Sequence, residues 1–389
     1  MNKLVIGILS LIIYAVAAFL SYNVFLEQKS TQTTPVASDM PLKTNLENDY
    51  QAILFNPNEP KTEVCPLTGE KYSKTQRNWW EKHRPLGVMV ENHLDARPQS
   101  GINASDVTFE AVAEGGITRT LNIYYCNDAG IVGPVRSART YFLDLISGYG
   151  NYPLYAHVGG ANTPGPANAL GQIVDYGWAQ HNDINQFSVG YPTFWRDEGR
   201  LGRQVATEHT MYSNTTKLWE VGQKRKLTNV DKNGKSWDSS FTEYTFKDDA
   251  PAAAPQTDSI HIDFWNNPDY AVEWTYDPKT NTYLRENGGI KHNDRNTKKQ
   301  IATKNLVILS MEESRANDGY EGNAHMIYGT TGTGNVTIFM DGKEIEGTWK
   351  KARRVDPLVI MDAQGEEIAF NKGKIWFEIQ PVGSLVEVN

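Results

Sequence analysis

Cysteine is nearly missing from this chain of 389 residues, where only Cys65 and Cys126 occur. Neither has a second ligand at the short spacing that a zinc site needs, so the sequence names no metal centre and no cofactor. Gly-x-Ser-x-Gly, Walker-type, His-Glu-x-x-His and dinucleotide-binding glycine patterns are missing as well. Their absence removes the common hydrolase, nucleotidase and metalloprotease readings and leaves carboxylate chemistry open. Positive charge is in deficit: 38 Lys and Arg against 46 Asp and Glu give a net charge of −8. That balance argues against nucleic acid as a partner. Long apolar runs are lacking too, with one exception at residues 4–26.

That exception is long enough to cross a bilayer, and Lys3 before it favours keeping the preceding end in the cytoplasm. It predicts a transmembrane anchor over residues 1–27, a single-pass protein of the plasma membrane, and domains on the extracytoplasmic side. The competing reading is a cleaved signal peptide with Ala15-Val16-Ala17 at its end, which makes the protein secreted. No cysteine lies near the run, which excludes a lipidated one there. Residues 28–64, rich in Thr, Gln, Pro, Asn and Lys without apolar period, read as a flexible stalk. In an exported chain the even, low cysteine count suggests a Cys65–Cys126 disulfide, with two free thiols as the alternative.

The remainder predicts an α+β protein of two domains. The first, residues 65–225, is mixed, with hairpins and short helices. A polar linker follows over 226–257, ending in Ala250-Pro251-Ala252-Ala253-Ala254-Pro255. Beyond it, residues 258–389 carry short alternating strands with turn signals, which predicts a β-rich antiparallel domain. Trp274, Trp349 and Trp376 read there as core or as a glycan platform.

Charged and polar side chains crowd the stretch 84–209. Glu91-Asn92-His93 closes a strand beginning at Leu86. Two β-prone runs, 107–114 and 117–126, are separated by Gly115-Gly116, a two-residue hairpin signal. A regular register places Val112 opposite Arg119 and Glu110 opposite Leu121, so that Glu110, Glu114 and Arg119 share a face. Such a group is either a structural ion pair or a carboxylate pair tuned for acid–base work. Arg136 and Arg139 flank a helix start with Ser137 as its cap, which suits an anion held between them, external or internal. His157, at a strand end before Gly159-Gly160, reads as a proton shuttle or as a satisfied core histidine. The candidate catalytic residues are therefore Glu110, Glu114 and His157. The candidate ligand-binding residues are Glu91, Asn92, Arg97, Gln99, Arg119, Arg136, Arg139, Arg196 and His209.

Arg97-Pro98-Gln99-Ser100-Gly101, Glu114 to Arg119 and Gly133 to Arg139, taken in order, resemble the YerB-like bacterial envelope proteins. Pro66-Leu67-Thr68-Gly69 and the C-terminal Asp341-Gly342-Lys343 with Glu346-Gly347-Thr348-Trp349-Lys350 fit the same pattern. The resemblance implies two domains and an extracytoplasmic place, usually by a lipid anchor. This chain departs from it there, since a hydrophobic segment stands where a lipidated cysteine is expected. The resemblance implies no activity. The leading expectation is a membrane-anchored envelope protein that binds a cell-wall glycan, peptide or protein partner through a Glu/Arg/His cleft. The alternatives are a carboxylate-dependent enzyme cleaving envelope glycan and a non-catalytic scaffold for cell-wall synthesis or sporulation machinery.

Overall fold

A computed structural model describes residues 51–389 apart from 321, 323 and 324. The expected anchor over 1–27 and the first part of the stalk lie outside the described residues. Among the described residues no helix is long and apolar enough to cross a membrane. The end of the expected stalk is structured. Phe55 sets its ring against Trp79 with centroids 5.4 Å apart, and Lys61–Val64 pairs antiparallel with Lys71–Ser73.

The protein is sheet-rich, and one ten-stranded mixed sheet organises it. Its strands in chain order are β1 (Leu86–Glu91), β2 (Val107–Glu114), β3 (Ile117–Tyr124), β4 (Leu154–His157) and β5 (Asp183–Asn185) from the first half. The second half supplies β6 (Asn305–Met311), β7 (Gly332–Met340), β8 (Lys343–Lys351), β9 (Val359–Asp362) and β10 (Ile375–Pro381). The spatial order is β9-β8-β7-β6-β10-β2-β3-β1-β4-β5. The seam between the halves is the β10–β2 ladder, parallel, with Glu378 beside Glu110 and Phe377 beside Phe109. Antiparallel pairing, expected throughout the C-terminal half, fails at β10, which runs parallel to both neighbours. A strand reaching across to β2 after a long excursion needs no hairpin, so nothing forces antiparallel order there.

Strand alternation gives this sheet two different faces. Against one lies a second sheet, in which Val272–Asp277 pairs with Ser259–Ile262 and Thr282–Asn287. Trp274 of that sheet meets Trp376 of β10, ring centroids 5.2 Å apart, and both tryptophans are fully buried. Trp349 is buried as well, its Nε1 donating to the Ser310 carbonyl, so these rings are core. The opposite face carries the helix Thr140–Ile146 and, toward β1 and β4, the helix Thr215–Lys224. Asn214 caps the latter by accepting from the Lys217 amide.

Residues 226–257 are largely exposed but anchored to the rest of the chain at several points. Trp237 is buried against Tyr125, donating to its hydroxyl, and Phe246–Lys247 pairs with Phe370–Asn371. The described residues from 51 onward belong to one compact unit. Cys65 and Cys126 form a disulfide spanning 61 positions. Closing a loop of that length removes unfolded-state entropy worth about 4 kcal/mol in the chain-entropy model. A Cys65→Ser/Cys126→Ser variant of the full-length chain is expected to unfold at markedly lower urea concentration. An unchanged midpoint would contradict a bridge that stabilises the fold.

Candidate functional site

One extra residue decides which side chains of the charged cluster meet. The hairpin β2–β3 turns through Gly115 and Gly116, both at positive φ (58° and 79°), as a type I′ turn requires. Glu114 faces Ile117 as expected. The ladder then shifts, with Val112 opposite Thr118, Ala111 opposite Arg119 and Glu110 opposite Thr120. Ala113 is the bulge residue, left without a partner. The regular register expected from sequence is thus wrong by one position beyond the turn. Glu110 goes to one face of the sheet, while Glu114 goes with Arg119 to the other.

Glu110 faces the second sheet and is fully buried. Its Oε2 accepts from Arg285 Nη2 at 2.6 Å; its Oε1 accepts from Thr118 at 2.6 Å and from Asn92 Nδ2 at 3.2 Å. Arg285 Nη1 meets His292 Nδ1, His292 Nε2 meets Gln99 Oε1 at 2.7 Å, and Gln99 Nε2 donates to Asn92 Oδ1 at 2.8 Å. The ring Glu110–Arg285–His292–Gln99–Asn92 is thereby closed. His292 is held neutral, its pKa driven far down by burial and by Arg285 beside it. A neutral imidazole is what the ring needs, one nitrogen accepting from a guanidinium and the other donating to a carboxamide. Arg97 joins from outside, its Nε donating to Asn92 Oδ1 at 3.1 Å and its guanidinium 5.1 Å from the Tyr270 ring centre. Of the expected ligand-binding residues, Asn92, Arg97 and Gln99 are therefore interior, placed away from any opening by the alternation that separates Glu91 from Asn92.

Glu378 neighbours Glu110 across the seam and is equally buried. Burial first, and then the Glu110 charge, raise its pKa well above the usual carboxyl value, so it stays protonated. Trp274 Nε1 donates to its Oε1 at 2.9 Å. The Arg285 charge opposes this shift, while its hydrogen bonds go to Glu110 and His292.

The other face holds the rest. Glu114 pairs with Arg119 Nη2 at 2.8 Å and with Arg139. Both arginines are buried, and burial opposes their charge. Glu91 accepts from His209 Nδ1 at 2.9 Å and faces Arg136 Nε at 3.3 Å. This pairing raises the His209 pKa, the Glu91 hydrogen bond being the main cause. His157 is fully buried with both ring nitrogens engaged, Nε2 by Asp183 and Nδ1 by the Gly159 carbonyl. The helix expected from Ser137 starts only at Thr140, with Arg139 at its N-cap. Residues 135–138 are instead extended, because Arg136 N–H bonds to the Met89 carbonyl and Ala138 N–H to that of Gly159.

That extended segment is one wall of a groove of about 620 Å³. Val135, Val158, Leu170, Met211 and Phe187 supply apolar lining, with Arg136, Arg196 and Glu208 as its charged members. Phe187 is 77% exposed and lies over Gly159, where an added Cβ would stand 3.1 Å from the ring. Arg196 is held by the Thr207 carbonyl and by Thr210 Oγ1. The groove thus gathers Arg136 and Arg196, backed by Glu91 and His209. Sequence reasoning missed Phe187, an aromatic with no charged neighbour to mark it, and also Arg285, His292 and Glu378 across the seam.

Two family models cover most of this architecture. Residues 67–228 match "Protein of unknown function (DUF3048) N-terminal domain", and residues 260–377 match the corresponding C-terminal domain. The chain belongs to the DUF3048 family. It is 31% identical over 327 residues to "Putative lipoprotein YerB" of Bacillus subtilis (strain 168), covering 84% of this chain and 88% of that one. The crystal structure of the YerB protein from Bacillus subtilis superposes with a TM-score of 0.68 at 26% identity, covering 84% of this chain and all of that one. The YerB-like resemblance read from the motifs is therefore correct, and the two family models are separated by residues 229–259.

Two outcomes follow from the interior network. Arg285→Ala leaves Glu110 buried without its cation, at an expected cost of about 3–5 kcal/mol. An Arg285→Met/Glu110→Gln pair should recover much of that in urea unfolding, whereas equal loss in both would exclude a charge-pairing role. For Glu378, whose folded pKa is raised, the unfolded chain releases the proton first. The contribution of Glu378 to stability is therefore fully present below pH of about 4.5 and is lost as pH rises toward the folded pKa. Glu378→Gln should flatten that fall, with equal stability near pH 4.5 and a gain at pH 7.5; an unaltered slope would contradict a protonated Glu378.

Proposed function

We propose that this protein is an extracytoplasmic envelope protein whose groove binds a carboxylate-bearing cell-wall peptide or glycan. The observation carrying this reading is the groove itself, in which Arg136 and Arg196 stand beside an apolar floor and the exposed ring of Phe187. Arginines bind carboxylates through forked, charge-assisted hydrogen bonds, and an exposed aromatic face suits a sugar ring or an aliphatic side chain. Envelope placement draws support from the lipoprotein named among the relatives and from the disulfide, which persists in oxidising compartments.

Glycan cleavage by Glu110 and Glu114 is less well supported. A glycosidase needs two carboxyls flanking one bond, about 5–9.5 Å apart. The sheet stands between these two, and Glu110 is sealed in its ring.

The test is fluorescence anisotropy of labelled muropeptides with the full-length chain in mild detergent. Saturable binding is expected, weakened about tenfold or more by Arg196→Ala and by Phe187→Ala. Both side chains are exposed, so folding survives their removal. No binding, or binding indifferent to both substitutions, would reject the groove as the site.

A further inference from the structure

His93, Asp95 and His209 converge beside the groove, their ligand atoms all within 4.8 Å of one another. We infer that these three residues bind a divalent transition-metal ion of the Zn²⁺ type at the margin of the groove. The two imidazole rings are stacked, centroids 4.6 Å apart and planes 12° from parallel. His93 Nδ1 accepts from the Asp95 amide at 3.1 Å, a bond that its single lone pair gives up to take the ion. Nδ1 and Asp95 Oδ2 stand 3.9 Å apart, about 0.6 Å wider than two tetrahedral ligands at bond lengths of about 2.0–2.1 Å.

The strongest support comes from His209. Its Nδ1 is engaged by Glu91 at 2.9 Å, which leaves Nε2 as the free ligand atom. A carboxylate on the far nitrogen of a ligating imidazole is the recurrent outer-shell arrangement of zinc sites, fixing tautomer and ring direction. Two imidazoles and one carboxylate suit zinc rather than calcium or magnesium, which prefer oxygen ligands throughout. Tetrahedral ligands at zinc distances lie about 3.3 Å apart, so binding draws the atoms, which lie within 4.8 Å, together by up to about 1.5 Å. The single turn Leu94–Ala96 that carries Asp95 can supply this, since the Asp95 carboxylate is bonded at 2.8 Å to Arg203, an exposed side chain. Asp95 would exchange that arginine for the ion. The carboxylates of Asp95 and Glu91 offset the added charge, against Arg136 and Arg203 on the other side.

Three protein ligands leave a fourth position for water or for the carboxylate of a ligand in the adjoining groove. The ion site reaches beyond the groove reading, and titration with Zn²⁺ alone separates the two, because no cell-wall fragment takes part.

Isothermal titration of the metal-free full-length chain with Zn²⁺ is the test. One equivalent is expected to bind saturably, with affinity lowered about tenfold or more in His93→Ala and in Asp95→Ala. His181→Ala, a distant histidine, should bind like the native chain. His93 and Asp95 are partly exposed, so a native urea midpoint in both variants keeps a loss of binding attributable to the ligands. No saturable uptake, unaltered uptake in both variants, or an equal loss in His181→Ala would each overturn the site.

Discussion

The Glu110–Arg285 ion pair is the interaction on which the rest of the arrangement rests. Both side chains are withdrawn completely from water, which costs several kcal/mol per ion before any attraction is counted. The chain recovers this by surrounding the pair. Thr118 and Asn92 saturate Glu110, His292 takes a second guanidinium N–H, and Trp274 and Trp376 lie within 5.1–5.6 Å of the guanidinium. Arg285 comes from the second sheet and Glu110 from the central one, 175 positions apart. A hydrophobic contact would tolerate sliding between these layers. A closed ring of directional bonds tolerates only one register, so its net contribution is placement more than stability.

Placement at the seam propagates to the opposite face. With β2 fixed against β10, the bulge at Ala113 turns Glu114 away from Glu110 and toward Arg119 and Arg139. Glu114 then holds two buried guanidiniums near residues 136–139, where Arg119 also bonds the Ser137 carbonyl. That same segment forms a groove wall. Interior and groove are therefore two sides of one sheet, linked through the backbone of a single hairpin.

Local signals were legible in the sequence. The Gly-Gly hairpin and the strand Leu86–Glu91 both follow from period and turn chemistry. The Cys65–Cys126 bridge was readable because only two cysteines exist to pair. The bulge was not, because one extra residue leaves the apolar pattern of Val107–Glu114 almost unchanged while exchanging the faces of everything beyond it. Nor was Arg285, which in sequence is an ordinary charged residue of an alternating strand. Its burial is decided by a carboxylate far away in the chain, and no local period reports that. The split between Glu91 and Asn92 was available in principle, since adjacent strand residues face opposite ways. The separation of the cluster into interior and groove sets begins there.

Net charge bears on what the groove can take. The chain carries −8, so a long polyanion meets repulsion over most of the surface. Arg136 and Arg196 against Glu208 leave the groove locally positive, a small exception within an acidic molecule. Attraction then acts only over about a Debye length, roughly 8–10 Å at ordinary ionic strength. On the proposed function, such a field would favour short anionic groups on otherwise neutral chains over dense ones. Glu91 sharpens this by holding Arg136 from behind, which limits the rotamer entropy lost when a ligand arrives. On the proposed reading, recognition depends less on the total number of cations than on their being fixed in a groove whose floor is apolar. A carboxylate attached to a sugar or peptide satisfies both halves of that requirement, and a free anion satisfies only one.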